Sequence, residues 1–102
     1  MNKYVKYTWY CGLMSKGTVP VPETVYIEPM KYFVNSFTAQ AGTGFWKGES
    51  EPVLIITFMA EEGGDEELSD FGLDTISEAL RKVGDQEAVL VTREVIEAKL
   101  VV

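Results

Sequence analysis

The chain has 102 residues, 46% hydrophobic and 25% charged, which makes one domain with one modest core and excludes a disordered polymer. A formal charge of −7 at pH 7 argues against bare nucleic acid as a partner, while a small anionic ligand held by a few local donors stays open. With no histidine and one cysteine, an internal disulfide is excluded, and the usual metal ligand and the usual general base near neutral pH are both missing.

Met1–Tyr4 leads straight into a strand pattern without the apolar run of a signal peptide. No stretch approaches the roughly 18 apolar residues of a bilayer-spanning helix. The expectation is therefore a cytoplasmic protein with no membrane partner, no metal and no cofactor. Residues 3–14 alternate, Val5, Tyr7, Trp9, Cys11 and Leu13 against Tyr4, Lys6, Thr8 and Tyr10, which predicts a long first strand ending in the turn Ser15-Lys16-Gly17-Thr18. Cys11 lies inside that pattern and reads as inert core.

Residues 19–37 are ambiguous. Tyr26, Met30, Phe33, Val34 and Phe37 follow helical spacing, yet Pro29 falls in the interior, where it removes a hydrogen bond and clashes with the preceding turn. The prediction is a helix that kinks at Pro29 or begins there, ending near Asn35.

Residues 36–60 read as a hairpin. Phe37, Ala39, Ala41 and Phe45 alternate with Thr38, Gln40, the glycines and Trp46, and Lys47–Glu51 has the Gly-plus-polar chemistry of a connection. Val53–Met59 is apolar on both faces, so this strand must be covered twice and belongs in the middle of a sheet. An acidic loop, 61–67, misses the spacing of a calcium loop and reads as solvated. Leu73, Ile76, Leu80 and Val83 then define an amphipathic helix from Ser69 to Val83, with Arg81, Lys82 and Gly84 supplying its C-terminal chemistry. Residues 87–95 form a β-branched strand, and 96–102 continue the alternation, as one long bent strand or as an extra C-terminal strand after a bulge.

The order strand, helix, strand, strand, helix, strand predicts a single α+β domain over 1–102, with the ferredoxin-like βαββαβ arrangement: an antiparallel four-stranded sheet with both helices on one face. If Val5, Tyr7 and Trp9 point at the helices, then Tyr4, Lys6, Thr8 and Tyr10 lie on the open face. Val53, Ile55, Thr57 and Met59 would lie beside them, followed by Thr38, Gln40 and Trp46. That surface is too apolar to be left bare in water. The expected cover is another copy of the chain in a homo-oligomer, a dimer or higher, or else a ligand on a partly enclosed platform.

The runs Ser36-Phe37-Thr38, Gly42-x-Gly44-x-Trp46 and Glu51-Pro52, with Tyr10-Cys11-Gly12-Leu13 and Gly84-Asp85-Gln86-Glu87-Ala88-Val89-Leu90-Val91, resemble a family of uncharacterised short proteins from bacteria and their phages. The resemblance implies the ferredoxin-like fold and a phage origin, hence a host-cytoplasmic location. It brings no catalytic residues, because the family has no assigned activity.

Gly42-Thr43-Gly44 is followed by a strand where a phosphate-cradling loop needs a helix, so these glycines read instead as a bulge or as room beneath a neighbour's aromatic ring. Trp46 with Lys47, and Tyr4 and Tyr10 on the adjacent face, suit either stacking on a base or anchoring an interface. Arg93 is a further anion contact or a salt bridge to a neighbouring strand. No Ser or Cys has a recognisable base beside it, so no catalytic residue is assigned. The candidate ligand or interface residues are Tyr4, Thr8, Tyr10, Thr38, Gln40, Thr43, Trp46, Lys47, Thr57 and Arg93. The sequence favours a non-catalytic, small oligomeric binding protein, in its most concrete form a phage counter-defence protein sequestering a nucleotide-type signal at a subunit interface. The alternatives are an enzyme acting on a small nucleotide-like ligand and a protein–protein interaction module.

Overall fold

The computed structural model describes all of residues 1–102. The first strand, β1 (Asn2–Gly12), is followed by two-residue strands β2 (Met14–Ser15) and β3 (Val19–Pro20), then helix α1 (Thr24–Phe33). Strands β4 (Thr38–Trp46) and β5 (Glu49–Glu61), helix α2 (Asp70–Val83) and strand β6 (Leu90–Ala98) complete the chain. The four long strands form one antiparallel sheet in the order β4-β5-β1-β6. This is the ferredoxin-like α+β arrangement, with β1 and β5 central. No helix is long and apolar enough to cross a membrane.

The alternation in β1 decides which side the helices take. Val5, Tyr7, Trp9 and Cys11 are buried beside Leu54, Ile56, Phe58 and Ala60 of β5, and Tyr26, Met30, Ile76 and Leu80 close over them from the two helices. The rings of Tyr7 stack against Trp9 at 6.3 Å and Phe58 at 5.9 Å. The polar ends of these aromatics are satisfied. Trp9 Nε1 donates to Ser77 Oγ at 2.9 Å, and the Tyr7 hydroxyl accepts from the Leu68 amide at 3.0 Å.

Helix α1 runs through Pro29, so the late-starting alternative is wrong. An interior proline, through its missing donor and its ring clash together, costs about 3 kcal/mol. Burying Tyr26 and Met30, one turn apart and fully enclosed, offsets that at roughly 1.5–3 kcal/mol each. Helix α2 matches its sequence signals. Ser69 caps it by accepting from the Gly72 amide at 3.0 Å, and the Gly84 amide closes the last turn on the Leu80 carbonyl at 3.1 Å.

Three boundaries differ from expectation. The hairpin connection is Lys47-Gly48 alone, both residues at positive φ (50° and 81°), as in a two-residue type I′ turn. The polar Glu49, Ser50 and Glu51 are thereby drawn into β5 as strand residues. The first strand stops at Gly12, and the predicted turn at 15–18 is bracketed by the β2–β3 ladder. The last strand spans only Leu90–Ala98, because the ladder with β1 ends where Asn2 meets Ala98. The additional strand pairing therefore lies at residues 14–20, and Lys99–Val102 carries no strand.

Candidate functional site

The register builds the open face row by row. Thr38 opposes Thr57, Thr57 opposes Thr8, and Thr8 opposes Thr92, so one line of four threonines crosses the whole sheet. The next row is Gln40, Ile55, Tyr10 and Leu90. On the other side of the threonines lie Met59, Lys6 and Glu94, with Lys6 Nζ 3.8 Å from the Glu94 carboxylate. Glu61, Tyr4 and Ile96 follow.

Hydroxyls beside branched aliphatics and a tyrosine make an unusual mixture for a solvated sheet face. In the single chain Tyr10 is 38% exposed, Met59 45% and Leu90 64%, while Thr8, at the centre, is only 6% exposed. The face is a shallow platform. Two shallow concavities, of about 350 and 340 Å³, lie away from its centre: one beside α2 at Ser77, Arg81 and Val89, the other at the Tyr4 end of the face beside Met1, Asn2 and Leu100.

Toward the hairpin tip the face is built on glycines. A Cβ at Gly42 would come within 3.0 Å of Ile55 Cδ1, and one at Gly44 within 3.1 Å of Val53 Cγ1. The glycines therefore let two aliphatic side chains lie flat across β4. The unbroken register excludes the expected bulge. Beyond them Trp46 is 69% exposed, with the Lys47 ammonium 5.9 Å from its ring centroid, a cation–π arrangement.

Of the ten candidate residues, the register gathers Thr8, Tyr10, Thr38, Gln40 and Thr57 into two adjacent rows. Tyr4 and the Trp46–Lys47 pair stand at opposite ends of the same face. Thr43 and Arg93 are on the other face: Thr43 opposes Pro52, and Arg93 opposes the core residue Tyr7. Arg93 pairs with Asp70 at the start of α2, Nη1 to Oδ1 3.4 Å, and not with a neighbouring strand. Thr92, Leu90 and Ile55 complete the central rows and were missing from the candidates. The alternation of Leu90, Thr92 and Glu94 against Val91, Arg93 and Val95 carried the signal for the first two.

No group of three or more His, Cys, Asp or Glu side chains is placed to hold a metal ion. The Cys11 thiol is fully buried, and desolvation pushes its pKa from 9.0 up to about 12, so it is no nucleophile near neutral pH. The Tyr26 hydroxyl, also raised mainly by desolvation, donates to the Gly12 carbonyl at 2.5 Å. Around it, Ser15 Oγ donates to the Asp85 carboxylate at 2.7 Å and Gln86 Nε2 to the Met14 carbonyl at 2.9 Å, clamping the α2 exit to β2, just past the end of β1. This polar cluster is structural.

No protein-family model and no curated protein matches the chain. Two solved structures are similar to the chain, and the first of them shares its fold. A phage SAM lyase in complex with S-methyl-5'-thioadenosine is 22% identical, with 93% of this chain and 90% of that one covered at a TM-score of 0.54. A phage SAM lyase in the apo state is 20% identical, with 95% and 91% covered at a TM-score of 0.44.

Proposed function

We propose that the chain is a small oligomeric binding protein of the phage counter-defence kind. It takes a nucleotide-type molecule, S-adenosylmethionine or the thioether nucleoside left from it, on the open face at a subunit interface. The observation that carries this is the shared fold with a phage SAM lyase bound to S-methyl-5'-thioadenosine, which extends over 93% of the chain. The open face has the right chemistry for such a ligand. The hydroxyls of Thr8, Thr38, Thr57 and Thr92 suit ribose and amino-acid polar groups, and Tyr10 beside Ile55 and Leu90 offers an apolar bed for a purine. The phage resemblance of the segments around Trp46 and Gly84 belongs with this reading. Capture of the ligand would withdraw a methyl donor from host enzymes.

A second reading is favoured by the same neighbour being a lyase: the sulfonium–Cγ bond of S-adenosylmethionine breaks, the sulfur keeps the electron pair as S-methyl-5'-thioadenosine, and the ligand's own carboxylate closes on Cγ to release the four-carbon fragment as a lactone. One experiment separates the two. Purified protein is dialysed to equilibrium against S-adenosylmethionine, and both compartments are resolved by mass spectrometry. Retention of intact ligand supports capture; conversion to S-methyl-5'-thioadenosine supports the lyase. Neither retention nor conversion contradicts both.

A further inference from the structure

Strand β4 is an edge strand, hydrogen-bonded on one side only to β5. In an antiparallel ladder every second residue turns its N–H and C=O to one neighbour, so half of the β4 backbone groups face outward without a strand partner. Edge strands of stable monomers are blunted by charges, prolines, bulges or shortness. Thr38–Trp46 has none of these devices. It is nine residues long, it carries no charged residue and no proline, and its register with β5 is unbroken from Thr38 opposite Thr57 to Trp46 opposite Glu49. Even Ala39 and Ala41, on the helix side, are exposed, because neither helix reaches over them. The opposite edge, β6, is also nine residues long but carries Arg93, Glu94 and Glu97.

A second unpartnered feature lies just beyond β6. Lys99–Val102 continues the strand pattern of the sequence, with Leu100, Val101 and Val102 at 79%, 80% and 112% exposure, while the ladder with β1 ends at Ala98 opposite Asn2. An uncharged edge lacks a strand, and a strand-like tail lacks an edge. Within the sheet β4 and β6 run antiparallel to each other, so β6 of a second copy laid against β4 would continue the antiparallel alternation without reversal.

We propose that β4 is the seat of a second copy of this chain, which adds its β6, extended by Lys99–Val102, as the next strand. The contact is head to tail, with each copy giving one edge and receiving on the other. When it closes into a ring, no copy keeps a bare edge. This rests on the oligomeric part of the proposed function and specifies which edge makes the contact; a monomer fails both, whereas an assembly built on another edge fails this inference alone.

The test is amide hydrogen exchange with native mass spectrometry on the full chain and on Val101→Pro, which removes one donor from an exposed tail position. The expected wild-type result is an assembly of more than one copy with every amide of 38–46 protected. In Val101→Pro the assembly should weaken about tenfold or more, and alternate β4 amides should exchange fast while β1 stays protected. A monomeric wild type overturns the proposal. So does an assembly in which alternate β4 amides still exchange, or one that Val101→Pro leaves intact.

Discussion

Tyr4 and Trp46 lie on the same face of the sheet at its two ends. Tyr4 stands opposite Glu61, the last residue of β5, and Trp46 opposite Glu49, the first. At about 3.3 Å per residue that separation is roughly 40 Å, in keeping with a molecule 43 Å in its longest dimension. A nucleoside cannot touch both residues within one chain. Either they serve different contacts or they meet across a subunit boundary. Trp46→Ala should therefore leave the unfolding midpoint of the single chain nearly unchanged, since an exposed side chain contributes within about 0.5 kcal/mol. It should weaken assembly or ligand retention, and sedimentation and dialysis on the same sample would show this.

The central rows make a sharper prediction. Thr57→Val removes one hydroxyl from the middle of the threonine line while keeping the branched shape. Loss of one ligand hydrogen bond worth about 1.4 kcal/mol lowers affinity about tenfold. Thermal unfolding should move little, because this side chain is only half-buried and makes no side-chain hydrogen bond in the chain. Equal loss of stability and of binding would mean that Thr57 serves the fold alone.

The clamp at the α2 exit predicts two stability effects. Tyr26→Phe leaves the buried Gly12 carbonyl without its donor and should cost about 1–3 kcal/mol. Gly84→Ala would set a methyl group into the Tyr26 ring, with no flexible atom to give way, and should cost at least as much. Gly42→Ala is the contrast, since it meets only the movable tip of Ile55. Urea titrations of the three variants should rank Gly84→Ala and Tyr26→Phe well below Gly42→Ala.

Alkaline unfolding should be steeper than a surface-only titration allows. The Cys11 thiol ionises near 9.0 when exposed but only at about 12 in the fold, because burial disfavours the thiolate. A group raised in the folded state contributes its full stability below 9.0 and loses it progressively as pH rises toward 12. Tyr7 and Tyr26 are raised mainly by desolvation too and act in the same direction above 10.0. Stability measured by denaturant at pH 8 and pH 11 should fall, and Cys11→Ala should flatten part of the slope. At the acid end, Ser15 and then Lys16 hold Asp85 below its ordinary value. Its contribution is present above pH 3.8 and fades as pH falls further.

The fold was legible because its strongest signals are local. The alternation of β1, the two-sided apolar run of β5 and the capped α2 each name their element and its buried face. Pro29 was the hard case: whether a helix survives a proline depends on what Tyr26 and Met30 bury, and spacing alone does not report that. Likewise Leu100, Val101 and Val102 look like strand, but their ladder depends on where β1 begins. The open face followed from the first strand's parity, so Thr8, Tyr10, Thr38, Gln40 and Thr57 were found together. Parity places Thr43 and Arg93 on the helix side, away from the central rows. The line of four threonines needed the pairing register, which no single strand contains.

The most direct measurement is native mass spectrometry of the full chain, purified and then incubated with S-adenosylmethionine. The expected spectrum is a complex of several copies that carries the added mass of S-adenosylmethionine or of S-methyl-5'-thioadenosine, with less mass retained in Thr57→Val. A single chain that stays ligand-free at every concentration tried would contradict it.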